Sequence, residues 1–328
     1  MTERLDVVAI GNAIVDVFGQ VEDAFLTENG VDKGIMQLID QDRAAALYIN
    51  MPPAKELSGG SAANTAAGVA AIGGKAGFIG KVRDDQLGQI FAHDLRAQGV
   101  EYHGPFTAPD SARETSRSLI LVTPDAERSM NTFLGASVDL VPEDIDEALL
   151  GRADWLYLEG YLFDTPEAKQ AYARAIAATK AGGGRSSITV SDPFCVDRHR
   201  ADFRRLIAEE MDLVFANEAE VLSLYETDDL DSALTQVGKD VAMAAITLSE
   251  KGAVVVRGDQ RTSVSALPVD VVDTTGAGDL FAGGFLAGLA QGADDARCAS
   301  MGCAAAGEVI SHVGARPEAN LKDVIAAL

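Results

Sequence analysis

The sequence predicts an α/β fold in which a mainly parallel, doubly wound sheet carries helices on both faces. Three observations point there. Short β-rich runs alternate with longer stretches of helical periodicity, as strand–helix–strand units do. The strand-like runs are apolar, as in Val7–Ile10, which suits strands covered on both sides. Glycine follows each of the first three helical runs, and glycine enters the left-handed region that stops a helix at least cost.

In chain order, the first strand is expected at Asp6–Ile10. A helix of small residues, Ala62–Ile72, stops at Gly73-Gly74, and Ala76–Val82 reads as the next strand. Gln86–Gln98 is helical and closes at Gly99. Asp154–Glu159 is a strand, Pro166–Ala181 a helix ending at Gly182, and Ser187–Ser191, Leu213–Ala216 and Met243–Leu248 are strands. The last third reads as helix over Gly276–Leu289 and Asp294–Ser311. Two segments break this rhythm with strand-like alternation: Val15–Ile39 and Ser116–Phe133. In the second, Pro124-Asp-Ala-Glu makes a hairpin turn between Arg117–Thr123 and Arg128–Phe133. Periodicity alone leaves two readings open, a small sheet inserted in two pieces or two ordinary surface hairpins.

The 328 residues hold about two domains, or one large α/β unit with an appendage. With 47% hydrophobic residues there is enough apolar surface to offset chain entropy. Aromatics are only 6%, so small aliphatic side chains must fill the core. The 50 acidic and 27 basic residues give a net charge of −23, which excludes a general nucleic-acid binder. Cys195, Cys298 and Cys303 form no Cys-x-x-Cys, so neither a disulfide framework nor a structural zinc site is expected. The N-terminus is too short in apolar residues and too polar for a signal peptide. No stretch reaches the ~18 apolar residues of a membrane span. A soluble, cytoplasmic protein without a membrane partner is the expectation.

The most informative stretch is Asp273-Thr-Thr-Gly-Ala-Gly-Asp279, which opens a small-residue helix. Backbone N–H groups at a helix start are unpaired and hold anions, and Asp279 would sit in the first turn. An acid there is also a common partner of the helix dipole, and spacing does not choose between the two roles. A dinucleotide fingerprint fails, because Phe281 stands where glycine is needed, and no Gly-x-x-x-x-Gly-Lys-[Ser/Thr] occurs. Gly59-Gly60-Ser61-Ala-Ala-Asn64 opens the other small-residue helix. Asn217-Glu-Ala-Glu220 and Thr247-Leu-Ser249-Glu-Lys-Gly252 each follow a strand, at the edge where open α/β sheets bind ligands.

On these four segments, in this order, the chain resembles the ribokinase-like (PfkB) carbohydrate and nucleoside kinases over essentially its whole length. The resemblance implies a doubly wound domain, residues 1–14, 40–104 and 137–328, with a discontinuous β-lid, residues 15–39 and 105–136. It also implies transfer of the ATP γ-phosphoryl group to a hydroxyl. Asp279 would be the base, somewhat weakened by the helix N-terminus. The Thr275–Asp279 amides, with Gly276, Ala277 and Gly278 among them, would stabilise the transferred group. Asn217 and Glu220 would organise Mg2+ and its water around ATP, and Thr247, Ser249, Gly252 and Thr275 would line the triphosphate. A monovalent cation such as K+ would sit near Asp273. Asn12, Asp16, Gly60, Ser61 and Asn64 would hold the acceptor, with Asp16 accepting from vicinal hydroxyls. Arg128 matches a phosphate-facing arginine of adenosine-kinase-like members.

Those motifs lie nearer the adenosine kinases than the ribokinases or fructokinases, so adenosine is the first expectation for the acceptor. A sugar kinase of the ribokinase, fructokinase or 2-keto-3-deoxygluconate kinase type is the alternative, and a non-catalytic ATP-binding regulator a further one. Tyr161, Phe163 or Phe18 could supply a slot for a purine, and core packing explains each equally well. Arg257-Gly-Asp259 lies between two strand-like runs and reads as hairpin chemistry, not an adhesion motif. Monomer and homodimer both fit.

Overall fold

The computed structural model describes residues 3–125 and 127–328. The first two residues of the chain and the Ala126 position of the expected hairpin turn lie outside the described residues. Nine strands form the large sheet. From edge to edge they are Gln260–Val264, Ala253–Arg257, Met243–Thr247, Leu213–Asn217, Arg185–Thr189, Ala153–Glu159, Leu5–Ile10, Ala76–Ile79 and Val100–Tyr102. All pairings from Met243–Thr247 to Val100–Tyr102 are parallel, and the first two strands make an antiparallel hairpin around Gly258-Asp259.

Alternate residues of each strand feed two cores. Val7, Ala9, Phe78 and Phe215 pack against Ser61–Ile72, Gln86–Ala97, Ala277–Ala290 and Asp295–Val309. Val8, Ile10, Leu156, Leu158 and Val214 face Pro166–Ala181, Pro193–Glu210, Glu218–Tyr225 and Leu230–Asp240 on the other side. This is the doubly wound, mainly parallel architecture with helices on both faces. Each strand and helix expected from the pattern is present within a few residues. One exception is Ala76–Val82, which stops at Ile79 because Gly80 is wedged against the Phe78 ring and the Gly11 carbonyl; Val82–Arg83 pairs separately with Phe106–Thr107. Pro193–Glu210 was not expected as helix, being highly charged and interrupted at His199, whose backbone leaves helical geometry.

On the first face, three helices meet almost backbone to backbone. A Cβ on Gly68 would stand 2.8 Å from Leu280 Cδ1, and one on Gly283 would stand 3.0 Å from the Thr65 carbonyl oxygen. One on Gly284 would lie 2.5 Å from the Met301 carbonyl oxygen. The small residues of Ser61–Ile72 and Ala277–Ala290 therefore exist to let these helices touch, which brings both N-termini to one place.

A second, five-stranded sheet runs Met36–Leu38, Arg128–Phe133, Ser116–Val122, Ile14–Gln20 and Lys55–Gly59. Of the two open readings the inserted sheet is correct, and Ser116–Val122 and Arg128–Phe133 pair as the expected antiparallel hairpin. Its composition differs from the segments 15–39 and 105–136 in two ways. Lys55–Gly59 supplies an edge strand from outside both, since Lys-Glu-Leu-Ser-Gly has too little alternation to declare itself. Val15–Ile39 is not continuous strand, because the helix Asp23–Glu28 interrupts it. The two faces of this sheet differ. Val15, Val17, Leu119 and Leu121 are buried with Leu26 and Leu47 of its flanking helices. Asp16, Phe18, Ser118, Met130 and, on the edge strand, Met36 and Leu38 point the opposite way by register.

Candidate active site

Ile10, Ile79, Glu159, Thr189, Asn217 and Thr247 close the parallel strands on one edge, and the register aligns them: Ile10 with Ile79, Glu159 with Thr189, Asn217 with Thr247. From Leu5–Ile10 the chain winds first to Ala76–Ile79 and Val100–Tyr102, then returns to the other side at Ala153–Glu159. The winding direction thus changes between Leu5–Ile10 and Ala153–Glu159, where doubly wound sheets open a crevice for ligands.

Glu159 fills that point and was not among the expected site residues. Its carboxylate is fully buried, with Oε1 accepting from Asn12 N at 2.7 Å and Asn12 Nδ2 at 2.6 Å, and Oε2 from Ala62 N at 2.9 Å. It thus joins the turn after the first strand to the start of the Ser61–Ile72 helix. Gly11 must be glycine here, because a Cβ would lie 2.2 Å from Glu159 Oε2. Burial pushes the Glu159 carboxyl up to about 7, against the three donors, and the nearby Asp279 charge adds to the rise. Asn12 is held on its other side by Ser137, whose hydroxyl donates to Oδ1 at 2.8 Å.

Asp279 lies in the first turn of Ala277–Ala290, as expected. Ser61 Oγ donates to its Oδ1 at 2.6 Å, and Asn64 Nδ2 donates to Oδ2 at 2.8 Å. The expectation that the helix N-terminus leaves it a weaker base is not met. Burial dominates and raises its pKa, while the Ser61 and Asn64 hydrogen bonds and the charge of Arg316 oppose the rise. Asn64 is 5% exposed, and among the described residues its Oδ1 has no partner.

Asp16 reaches the same cluster from the smaller sheet. A Cβ on Gly59, which pairs with Ile14 and lies diagonal to Asp16 on the neighbouring strand, would stand 2.2 Å from Asp16 Oδ2. Burial raises the Asp16 carboxyl to about 7, Arg316 lowers it and Asp279 raises it. Gly60 turns the chain with φ +95°, a conformation other residues rarely adopt, and a Cβ there would strike the Asn12 carbonyl oxygen at 2.1 Å. Asn12, Asp16, Gly60, Ser61, Asn64 and Asp279 are therefore brought together.

On the other flank of Asp279, Gly276 caps the helix at φ +80° and rests on Ala315. Among the described residues the Gly276, Gly278 and Asp279 amides are free, and a Cβ on Gly278 would meet open space. The Thr275 amide is committed to Asp273 Oδ1 at 2.9 Å and the Ala277 amide to the Thr274 carbonyl at 3.2 Å. The free donors are thus fewer than the five expected over Thr275–Asp279. Asp273, 6% exposed, also accepts from Gly314 N at 2.8 Å and ion-pairs with Arg128. Arg128 Nη1 donates to Thr275 Oγ1 at 3.0 Å, so this arginine spans from the smaller sheet to the glycine loop. A K+ ion beside Asp273 would have to share that carboxylate with Arg128.

Asn217 and Glu220 form a capping box at the start of Glu218–Tyr225. Asn217 Oδ1 accepts from Glu220 N at 2.9 Å, and the Glu220 carboxylate accepts from Asn217 N at 2.9 Å and Nδ2 at 2.6 Å. Burial raises Glu220 to about 7. Among the described residues no three His, Cys, Asp or Glu side chains group as a metal cage. Glu220, with both oxygens already bonded, suits an outer role through a metal-bound water. Thr247 pairs with Asn217, whereas Ser249 is exposed at φ +53° and one turn further out. Gly252 is buried behind them at φ +100°, and a Cβ would lie 2.1 Å from the Val264 carbonyl oxygen.

The pfkB family carbohydrate kinase model matches residues 36–321. A fructokinase of Klebsiella pneumoniae is 30% identical over 71% of this chain and 76% of its own. An ATP-dependent ribose-1-phosphate kinase of Halopiger xanaduensis is 33% identical over 83% of this chain and 86% of its own. The crystal structure of adenosine kinase from Sinorhizobium meliloti is 50% identical, covers 99% of both chains and superposes with a TM-score of 0.90. The fold and the site edge define a kinase, an enzyme that transfers a phosphoryl group to an alcohol. The chain belongs to the PfkB family of carbohydrate kinases. Among the described residues no helix is long and apolar enough to cross a membrane.

Proposed function

We propose that this chain transfers the γ-phosphoryl group of ATP to a ribose hydroxyl of a nucleoside, adenosine being the first candidate. The observation that carries the reading is the convergence of Asp279, Asp16 and the unpaired Asn64 Oδ1 at the crevice. Two of them are acceptors suited to a vicinal diol, and the third stands at the start of a helix with free amides. Asp279, its carboxylate oriented by Ser61 and Asn64, accepts the hydroxyl proton as the new P–O bond forms. Its raised pKa makes it a better proton acceptor than a free aspartate. The Gly276, Gly278 and Asp279 amides donate to the transferring group.

Magnesium carried by ATP supplies charge neutralisation on the phosphates. Glu220 and Asn217 would hold its water, with Thr247, Ser249, Gly252 and Thr275 along the triphosphate. Arg128 meets the phosphates when it leaves Asp273, and no step is assigned to potassium. The smaller sheet acts as a lid that excludes water, so ATP hydrolysis without acceptor stays low.

A nucleoside is favoured over a free sugar by the lid face that carries Asp16. It presents Phe18 and Met130 half-buried and Met36 and Leu38 exposed at 56% and 63%, an apolar surface with no use for a sugar but suited to a base. The 50% identity to the Sinorhizobium meliloti adenosine kinase supports the same choice. A sugar kinase is the second reading, favoured by the fructokinase and ribose-1-phosphate kinase relatives. The test is ATP consumption with adenosine, inosine, cytidine, ribose, fructose and 2-keto-3-deoxygluconate. Adenosine should dominate; turnover of a free sugar with none of any nucleoside overturns the choice, and turnover of no acceptor favours a binding protein. Asp279→Asn should lower kcat by about 10³, and a variant near the wild-type rate removes the base assignment.

A further inference from the structure

We propose that Arg316 is a positioning residue that locks the acceptor turn, residues 58–64, onto the glycine loop, residues 273–279. Arg316 lies outside every motif and far from both segments in sequence. Its Nε and Nη2 donate to the Ser58 carbonyl at 3.2 and 2.9 Å, and Nη2 also to Ser58 Oγ at 3.1 Å. Its Nη1 donates to the Ala63 carbonyl at 2.8 Å. One planar guanidinium therefore grips the chain on either side of Gly59-Gly60-Ser61, the turn that delivers Ser61 and Asn64 to Asp279. The two residues before it hold the other loop: Gly314 N donates to Asp273 Oδ2 at 2.8 Å, and Ala315 is the surface on which Gly276 rests. Residues 314–316 are thus a three-residue staple between the acceptor side and the phosphate side.

The grip needs a fork and not merely a charge. A lysine ammonium is a point donor and cannot span two carbonyls in fixed geometry. The charge has a second effect. Arg316 is the cation that opposes the burial-driven rise of both Asp16 and Asp279, and Asp94 on the neighbouring helix, bonded to Ser58 N and Oγ at 2.8 and 2.6 Å, faces it from behind. Asp16, Glu159, Tyr157 and Tyr161 are the other titratable groups coupled to Asp279. Losing the guanidinium leaves these carboxyls without their counter-charge.

This inference rests on the proposed roles of Asp279 and the acceptor turn but not on which acceptor is used. The test compares Arg316→Gln and Arg316→Lys with wild type on whichever acceptor the wild-type enzyme turns over. Failure of wild type on adenosine counts against the nucleoside reading alone. Arg316→Gln should raise the acceptor KM about tenfold or more, lower kcat/KM about 100-fold and leave the ATP KM within about twofold. Its acid limb should move to higher pH, because Asp279 must be ionised to accept a proton and has lost a neighbouring cation. Arg316→Lys should restore the acid limb and keep the high acceptor KM. Amide hydrogen exchange in residues 58–64 should quicken in both, which reads the grip without any substrate. A wild-type acceptor KM and acid limb in Arg316→Gln overturn the proposal. So do unaltered exchange over 58–64, or an Arg316→Lys enzyme with wild-type acceptor KM.

Discussion

Asp279 shows how two physical effects at one residue are weighed. A helix N-terminus stabilises a carboxylate by a few tenths to about 1 kcal/mol when exposed. Burial beside Glu159 and Asp16 works the other way and wins. Asp279→Asn should therefore raise the melting temperature by about 2–4 °C while removing activity, and a fall in melting temperature contradicts the burial argument. Glu159→Gln tests the neighbouring carboxyl. Its amide N–H would confront the Ala62 N–H that Oε2 now accepts, so the acceptor KM should rise about tenfold and the protein should lose roughly 1–3 kcal/mol in a denaturant titration. At this scale the site was half legible. Asp279, Ser61 and Asn64 stand in glycine-rich segments whose local chemistry marks them. Glu159 reads only as a strand's last residue and Arg316 as a surface arginine, because their partners lie 97 or more residues away.

At the scale of elements, the segment Asn217–Glu220 has a local purpose as well as a proposed one. A capping box starts its helix whether or not ATP is bound. Asn217→Ala should cost about 1 kcal/mol in stability. Glu220→Gln keeps one acceptor but turns an amide N–H toward the other of the two Asn217 donors, so it should lose roughly 1–3 kcal/mol. If Glu220 also serves the metal's water, the Mg2+ concentration for half-maximal rate should rise several-fold, and an unchanged Mg2+ dependence leaves only the cap. Helices with clean glycine stops were readable from sequence, whereas Pro193–Glu210 was hidden by its charge and its break at His199. Lys55–Gly59 was hidden because an edge strand of five mixed residues carries too little periodicity.

For the whole molecule, the buried carboxyls set a pH dependence. Asp16, Glu159 and Glu220 ionise near 7 in the folded chain and near 4 when unfolded. Between those values the native state holds more protons, so stability falls as pH rises from about 4 through about 7. The melting temperature should be higher at pH 6 than at pH 8. Repulsion from the net charge of −23 has the same sign but is screened by salt. The difference should persist in 0.5 M NaCl if the buried groups cause it and collapse if surface charge does. That same net charge is compatible with ATP because helix amides, Arg128 and Arg316 supply positive potential locally. The fold class was legible because parallel strands covered on both faces leave apolar runs. The smaller sheet was legible only as interruptions, since its buried central strand mixes Ser116, Arg117 and Ser118 into the apolar run and breaks the pattern.

The backbone contact between Ser61–Ile72 and Ala277–Ala290 reaches beyond packing. The proposed base rides on one of these helices, and the two groups that aim it ride on the other. With Gly68 and Gly283 at the seam, the pair is one solid casting, and whatever moves during turnover must be the sheet that brings Asp16. A saturation library should therefore show a line of intolerance down this seam, far from any ligand, where even alanine costs turnover before it costs solubility. Selection for activity would mark Gly68 and Gly283 as sharply as it marks Asp279, although neither can ever touch a substrate.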